Sequence, residues 1–575
     1  MAILKSKKAL EHEQMVSFGG IRDHSGLTMD GAYDMRNFRI LSDGTLEKRC
    51  GFFKRYGVSG SVRGIWQGAV SGRSYLFVVA DSQVYRKGPS DDSLQAIYVL
   101  PTSSGTVNFI CYRENLYLLD GKTILIFRSS TDNFTVAEGY TPLYGRNWHP
   151  TQLGEIHEPL NLIQNKIRIH YLNTVASSVF YLPFTTNEIH SLRIDGEATT
   201  LYSFTPGTST FTIPTTLAKV SSVEVTCVPD PVFSQRNQVL RTAGAAVYRT
   251  PHRETLMCFG GANGYSVYRS VPVTDEMMDG CMMTVATADP LYIPQDSVFA
   301  VGSTAHPVRA LCQRGEQMMV FNDEGVWAIQ YPDENSDDAE IIPIPSGSGC
   351  TSQNGAVPCG ESIVTVSADG IMQLGFAANS FDRCTQEVIS DPIRNRLDHD
   401  FLSRAVLFLD TSRNELWVRD PRDEEGTVWI YALERKLWVR FDGIHANRFF
   451  SYRGLVGFST DDGEICFFDE AMDTDGGEVF SADYQSHYLG LSNLVIPKRT
   501  MEFSLAAYTD GGSLTAFLKT ERTQKSFVLT ADKSDTPTFF RRRLSQGRFR
   551  FLQFRLTAVG AARCRIYSFA LAANN

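Results

Sequence analysis

The sequence predicts an all-β chain, with a β-propeller-like body of about six to seven blades, an inserted β-sandwich and a C-terminal β-sandwich. Three observations predict it. Short runs rich in Val, Ile, Phe, Tyr and Trp alternate with Gly, Asp and Ser turns from Val62 to Phe468. That rhythm breaks off at Tyr140 and resumes at Glu254. From residue 480 to the end, fourteen Lys and Arg face six Asp and Glu, about +8, leaving about −17 for the rest of a chain whose net charge is −9.

The length of 575 residues exceeds what one hydrophobic core supports, so several domains are expected. The divisions read as 1–52 (arm and hairpin), 53–140 (first blades), 141–250 (inserted β-sandwich with linkers), 251–470 (remaining blades) and 471–575 (acidic linker and C-terminal β-sandwich). The eleven cysteines are scattered, with no Cys-x-x-Cys, so reduced thiols made in a cytosol are expected rather than a disulfide frame or a zinc site. The segment Met1–Gln14 is charged and lacks the apolar core of a signal peptide. Apolar runs such as Leu76–Ala80 are strand-sized, and no membrane span is expected. The net negative charge argues against a general nucleic-acid binder.

In chain order, Phe38–Leu41 and Thr45–Lys48 read as a hairpin around Ser42-Asp43-Gly44, where Gly44 is free to adopt φ > 0. Blade texture begins near Val62, with Ile65–Trp66, Tyr75–Ala80, Gln83–Arg86, Thr106–Cys111, Asn115–Leu119 and Ile124–Arg128. Tyr140–Pro159, rich in Pro, Gly and His, reads as a linker. Asn161–Asp230 reads as a separate β-domain, with Val179–Pro183 and Ser191–Ile194 as two of its strands. Blades resume across Gly261-Ala262-Asn263, with one unit obscured near Met277–Tyr292. Ala405–Leu409, Glu415–Val418, Thr427–Ala432 and Lys436–Phe441 give the clearest four-strand blade. Phe449–Tyr452, Leu455–Ser459 and Glu464–Phe468 give a further one. Asp461–Glu478 reads as an acidic linker, and strands from Glu502 to Leu571 as the final sandwich.

Chemical motifs are sparse. Gly-x-Ser-x-Gly and His-Glu-x-x-His are absent. Gly121-Lys122-Thr123 ends like a phosphate loop but has Leu116 where a glycine is required, and it lies between strands, so it reads as a hairpin turn. Ser459–Phe467 has the outline of an Asp-box without its Thr-Trp. Asp469, Asp473 and Asp475 could approach a calcium ion, but Glu478 is too near to close an EF-hand loop, and a solvated acidic linker is the simpler reading. His149, His157 and His170 show no metal spacing. No catalytic residue, cofactor or metal is expected. The strongest charge feature is Arg541, Arg542 and Arg543 with Arg548, Arg550 and Arg555, interleaved with Phe549, Phe551 and Phe554. Arg548 and Arg550 would share one strand face, with Phe549 and Phe551 on the other. Three readings stand: a wet face over an apolar one, a dock for an acidic neighbouring subunit, or contact with a DNA backbone.

One stretch is more specific. Gly19-Gly20-Ile21, then Tyr33-Asp34-Met35-Arg36-Asn37-Phe38, then Asp43-Gly44-x-Leu46-x-x-Arg49-x-Gly51-Phe52 resembles the N-terminal signature of phage tail nozzle (tail tubular protein B) and packaged-DNA stabilisation proteins. That family often has Arg-Pro-Gly where this chain has Arg49-Cys50-Gly51. The order of propeller, insert and C-terminal β-domain is also similar. The resemblance implies a structural, non-enzymatic virion protein. It would form a homo-oligomeric ring, a hexamer, below the portal and adaptor, in contact with distal tail or fibre proteins. It would extend the channel through which DNA passes and help retain the packaged genome until ejection. The stretch itself would close the propeller or reach a neighbouring subunit, and its deletion would abolish assembly. The alternative is a host-surface glycan-binding or depolymerising propeller, which needs exposed Trp and Tyr beside acids in a concave site.

Overall fold

The structure, a computed structural model, describes residues 12–16, 18–23, 31–230, 234–242, 244–261, 264–274, 277, 291–332, 338–345, 347–377, 380–490, 495, 497–510, 512–530, 536–560 and 563–574. Ala262 and Asn263 of one expected turn, and most of the obscured unit at Met277–Tyr292, lie outside them. The chain divides into two compact units, Met1–Val62 with Thr351–Ala378 and Cys384–Asn575, and Arg63–Cys350 with Asn379–Arg383.

The second unit is built from successive four-stranded antiparallel meanders. The first runs Val62–Val70, Arg73–Ala80, Gln83–Lys87 and Gln95–Val99, and the second Asn108–Tyr112, Asn115–Leu119, Ile124–Arg128 and Asn133–Val136. The third runs Gly244–Arg249, Glu254–Phe259, Ser266–Arg269 and Val298–Ala300, and the fourth Ala310–Arg314, Gln317–Phe321, Val326–Gln330 and Glu340–Ile344. Consecutive meanders bury their faces against one another. Phe77 and Val79 of the first meet Leu118 and Phe127 of the second. Tyr117 and Ile126 of the second meet Leu256 and Tyr268 of the third. Met257 and Val267 of the third meet Met318 and Ile329 of the fourth. Strands buried on both faces need continuous apolar runs, which is why Leu76–Ala80 and Gln317–Phe321 carry so few polar residues. This face-to-face stacking is that of propeller blades.

The insert is a seven-stranded sheet with its own core of Tyr171, Phe180, Phe211, Val223 and Val225. Two expectations are corrected. Val179–Ile194 is one sixteen-residue strand, not two. Its first half pairs with Thr208–Thr212 and its second with Ser222–Pro229, across a register shift that lets it turn from one partner to the other. Leu143–Trp148, inside the presumed linker, is a strand parallel to Ile167–Leu172, because Tyr144 and Trp148 have apolar surface to bury.

Three further meanders follow in chain order. Ala356–Cys359, Ser362–Ser367, Gly370–Ala377 and Ser380–Val388 form one; Val406–Asp410, Glu415–Arg419, Val428–Ala432 and Leu437–Phe441 form the next. Arg448–Tyr452, Leu455–Ser459 and Glu464–Phe468 form the last, and Phe52–Gly57, not expected as part of it, supplies its fourth strand. The C-terminal sandwich faces Lys498–Thr509, Thr538–Phe549 and Cys564–Asn574 with Ala482–Ser486, Ser513–Thr520, Gln524–Thr530 and Leu552–Val559. Phe503, Phe554 and Phe569 pack between the two sheets.

A polar device recurs where the second strand of several meanders ends. Asp120 accepts hydrogen bonds from the Lys122 and Thr123 amides at 2.9 and 2.6 Å, and Asn322 from those of Glu324 and Gly325 at 2.9 and 2.8 Å. Asp420 accepts from Arg422 and Ser367 from Asp369. Asx and Ser turns of this kind close the hairpin between second and third strands. Gly121-Lys122-Thr123 is one of them, with Gly121 at φ +78°.

Candidate functional site

The Phe18–Phe52 stretch is placed as the tie of the first unit. Ala32–Arg36 lies between two sheets, pairing parallel to Leu437–Phe441 at Arg36–Arg440 and antiparallel to Ala482–Ser486. The hairpin Phe38–Ile40/Leu46–Lys48 extends the other sheet of the sandwich by pairing with Cys564–Asn574. Phe52–Gly57 then completes the last meander. Three consecutive segments thus serve three different sheets.

Each signature residue has a local reason. Gly20 lies against Leu437 and Trp438, where a Cβ would stand 2.7 Å from the Leu437 side chain and 2.9 Å from the Trp438 backbone. Gly19 is half-buried beside it. Asn37 takes φ +56°, a conformation asparagine tolerates better than most residues. Its Nδ2 donates to the Ser481 carbonyl at 2.9 Å, and its Oδ1 accepts from Arg49 Nε at 2.9 Å and from the Asp442 amide at 3.0 Å. Phe38 and Leu46 are fully buried. Asp43 accepts from the Thr45 hydroxyl at 2.7 Å and amide at 3.0 Å and meets Arg565 at 2.5 Å; the hydrogen bonds from Thr45, then the Arg565 charge, hold its carboxyl below the usual range. Gly44 turns at φ +85°. A Cβ on Gly51 would collide with the Thr474 carbonyl.

Arg49 is the centre of the tie. Its side chain is 0% exposed, and all five of its N–H donors are used. Nε donates to Asn37, Nη1 to Asp475 at 2.8 Å and the Cys50 carbonyl at 3.0 Å, and Nη2 to Asp475 at 2.5 Å and the Asp442 carbonyl at 3.2 Å. The guanidinium lies 3.9 Å from the Phe480 ring centre, and the Lys48 ammonium 4.2 Å from the same ring. Burial pushes the Lys48 ammonium below its ordinary value. The acidic segment after Phe468 is therefore no solvated linker. Gly51 and Phe52 donate to the carbonyls of Met472 and Thr474, and Gly476 donates to that of Phe52, because the segment must present Asp475 to a buried cation.

A second feature runs from this stretch into the sandwich. Asp23, Arg396, Asp34, Arg440, Asp442, Arg36, Asp483 and Arg555 form an alternating chain of carboxylates and guanidiniums. Its contacts are 2.9, 3.0, 3.4, 3.1, 3.8, 2.5 and 2.7 Å in that order. Burial pushes the Asp483 carboxyl up, but hydrogen bonds from Thr557, Arg555 and Arg36 outweigh it and leave the carboxyl below its ordinary value. Asp442 goes the other way, raised by burial more than Arg440 and Arg36 lower it. Asp23, Asp34, Arg396 and Arg440 line an open cleft of about 910 Å³ with Tyr33 and Trp429. His487 seats the start of the stretch, its Nε2 2.8 Å from the Arg22 carbonyl, and burial holds its imidazole below the ordinary value. These charges are engaged with one another, so the arrangement fastens segments together.

The arginine cluster lies elsewhere. Arg541, Arg542 and Arg543 are exposed on Thr538–Phe549, the edge opposite the signature hairpin in the same sheet, and Arg541 pairs with Glu502. Arg548 and Arg550 are exposed around a buried Phe549, as alternation predicts, but the strand ends at Phe549 and Phe551 is only half-buried. The Arg550 and Phe551 amides donate instead to Glu521. Arg555 belongs to the charge chain and not to this cluster. Among the described residues no group of three or more His, Cys, Asp and Glu could hold a metal ion. All six tryptophans lie in strands and none is exposed. Nothing local in the sequence marks Asp442, Asp475, Phe480, Asp483 and His487 as partners of the first fifty residues.

No protein-family model matches the chain, and no curated protein matches it significantly. Among solved structures, the AfRom2 CNH domain is 9% identical with a TM-score of 0.35, over 73% of this chain and 99% of that one. YCF48 bound to D1 peptide is 9% identical with a TM-score of 0.32, over 73% and 95%. A carbohydrate-binding module, CBM4, is 9% identical with a TM-score of 0.14, over 22% and 77%. At such scores the likeness assigns no activity to this chain.

Proposed function

We propose that this protein is a structural component of a bacteriophage tail, of the nozzle or packaged-DNA-stabilisation type. Six copies form a ring below the portal and adaptor, extending the DNA channel, retaining the genome and serving in its ejection. One observation carries the reading: Gly20, Asn37, Gly44, Arg49 and Gly51 of the signature stretch that resembles this family each meet a geometric demand, with Arg49 at the centre. A motif held by architecture and not by chemistry is what a scaffold family would share. Supporting it, rigid all-β units suit repetition about a symmetry axis. The acidic excess outside the last ninety-six residues suits a lumen that DNA must pass without adhering. Among the described residues no helix is long and apolar enough to cross a membrane.

The test is gold-labelled antibody against the inserted domain, applied to particles from a lysate of producing bacteria. Label at a single vertex of each particle is expected. Unlabelled particles, with the protein recovered only from the soluble fraction, would overturn the reading.

A further inference from the structure

One end of the inserted domain is apolar and nearly without charge. Leu143–Trp148 and Ile167–Leu172 run parallel and leave the sheet there side by side, Trp148 beside Tyr171. The Asn173 side chain donates to the carbonyls of Ser177 and Ala218, both at 3.0 Å, and its amide donates to that of Ser221. The Tyr181 amide donates to the Pro150 carbonyl and the Ile213 amide to that of Ser178. Asp195 accepts from the Ser221 and Ser222 amides, and Val179 and Ser203 flank Thr212 on its two sides. These bonds gather residues 149–153, 172–181, 195–202 and 212–222 at one end of the domain, and every residue of the four segments is described.

Leu153, Leu172, Val175, Val179, Tyr181 and Leu201 are exposed at this end, from 36% at Val179 to 59% at Leu201. Asp195, Glu197 and Lys219 are the only Asp, Glu, Lys or Arg in the four segments, where the chain-wide share of 21% would put about seven. Clustered exposed apolar side chains mark a contact with protein or with membrane. Two features choose between them. The exposed residues are Leu and Val, with a single Tyr, set among Ser and Thr; Leu, Val, Ser and Thr are under-represented in the hot spots of protein interfaces, where Trp, Tyr and Arg lead, and no Arg or Trp lies in these segments. The turn backbones are also bonded internally. Besides the bonds above, the Leu201 amide donates to the Thr199 hydroxyl, the Ser177 hydroxyl to the Val179 carbonyl, and the Leu217 and Ala218 amides to Pro214 and Thr215. Satisfied backbone groups and few charges are what a medium poor in water demands.

We infer that this end of the inserted domain enters the interfacial layer of a lipid bilayer. Leu153, Val175 and Leu201 reach the acyl boundary, and the Tyr181 ring sits at the headgroup level. The preferred surface is zwitterionic. The end offers one lysine and no arginine to anionic headgroups, and the chain as a whole carries −9. Attachment is peripheral and driven by apolar area, so salt has little hold on it. The inference goes beyond the tail reading and stands without it.

Flotation of the full-length protein with phosphatidylcholine vesicles tests it. Wild type is expected to float with the vesicles equally at about 0.05 M and about 0.5 M salt, and less when half of the lipid is phosphatidylserine. Val175→Asp and Leu201→Asp change exposed side chains and should each weaken partition at least about tenfold, with circular dichroism unchanged. Val175→Leu should bind as wild type does, and so should Pro206→Asp, on the exposed turn after Ser203–Phe204 at the other end of that strand. Wild type that fails to float, flotation that the two aspartates leave intact, or flotation that requires phosphatidylserine and is lost at high salt would overturn the inference. Association of the protein without vesicles that the same aspartates abolish would overturn it too, and would assign this end to a protein contact.

Discussion

Arg49 and Asp475, 426 positions apart in sequence, form a two-bonded ion pair at 2.8 and 2.5 Å with the guanidinium wholly shielded from water. Such a pair is costly to desolvate and costlier to break, since the survivor is left charged and buried. Arg49→Met should therefore destabilise the first unit by about 3–5 kcal/mol. Chemical denaturation followed by the fluorescence of Trp417, Trp429 and Trp438 reads it. Asp475→Asn should cost less once Arg49→Met is present than it does alone, because the two changes remove one interaction.

The glycines of the same stretch should rank by what their Cβ would meet. Gly51→Ala drives a methyl into the Thr474 carbonyl, which is held in place by the Phe52 amide at 3.1 Å, and should cost about 1–3 kcal/mol or more. Gly44→Ala meets only the Arg435 side chain at 3.8 Å, and should cost about 1 kcal/mol from its left-handed backbone alone. Melting curves of the two variants check the order.

Only part of this was legible in the sequence. Local pairings were, because blade hairpins close over a few residues and their apolar runs announce burial on both faces: Glu415–Arg419 and Val428–Ala432 lie where the pattern puts them. The signature stretch could be seen as a hairpin. Its partners could not, since Phe52–Gly57 pairs with a strand some four hundred positions later and no local pattern records a closure of that length. Asp475 looked like a linker acid for the same reason: its aspartate-glycine surroundings are those of a turn, and only the fold brings Arg49 to it. Val179–Ile194 read as two strands because its polar middle, Thr185 to His190, resembles a loop and is in fact the place where the strand changes partner.

His487 gives a pH dependence with a definite sign. Burial holds its folded value below the ordinary one, outweighing the Arg22 and Ala32 carbonyls and Asp23, which favour the proton; Arg396 opposes it. The unfolded chain then takes the proton first, so stability falls as pH drops below about 6.5 and is unaffected above. His487→Gln should flatten that slope. His170, lowered by burial in the same direction, supplies a remaining part. Denaturation midpoints between about pH 7 and pH 5 measure it.

Removal of residues 1–52, expected from the resemblance to abolish assembly, would take away part of the first unit's own core. Met35, Phe38 and Leu46 are core residues, and the last meander loses the anchor of its fourth strand. The truncated protein should be insoluble or protease-sensitive in limited proteolysis, and not a folded monomer.

The most direct test of the central claim is negative-stain electron microscopy of the purified full-length protein with particle masses taken on the same sample. Closed rings of uniform diameter and a mass six times 64.1 kDa are expected. Single particles of 64.1 kDa at every concentration and salt condition would contradict it.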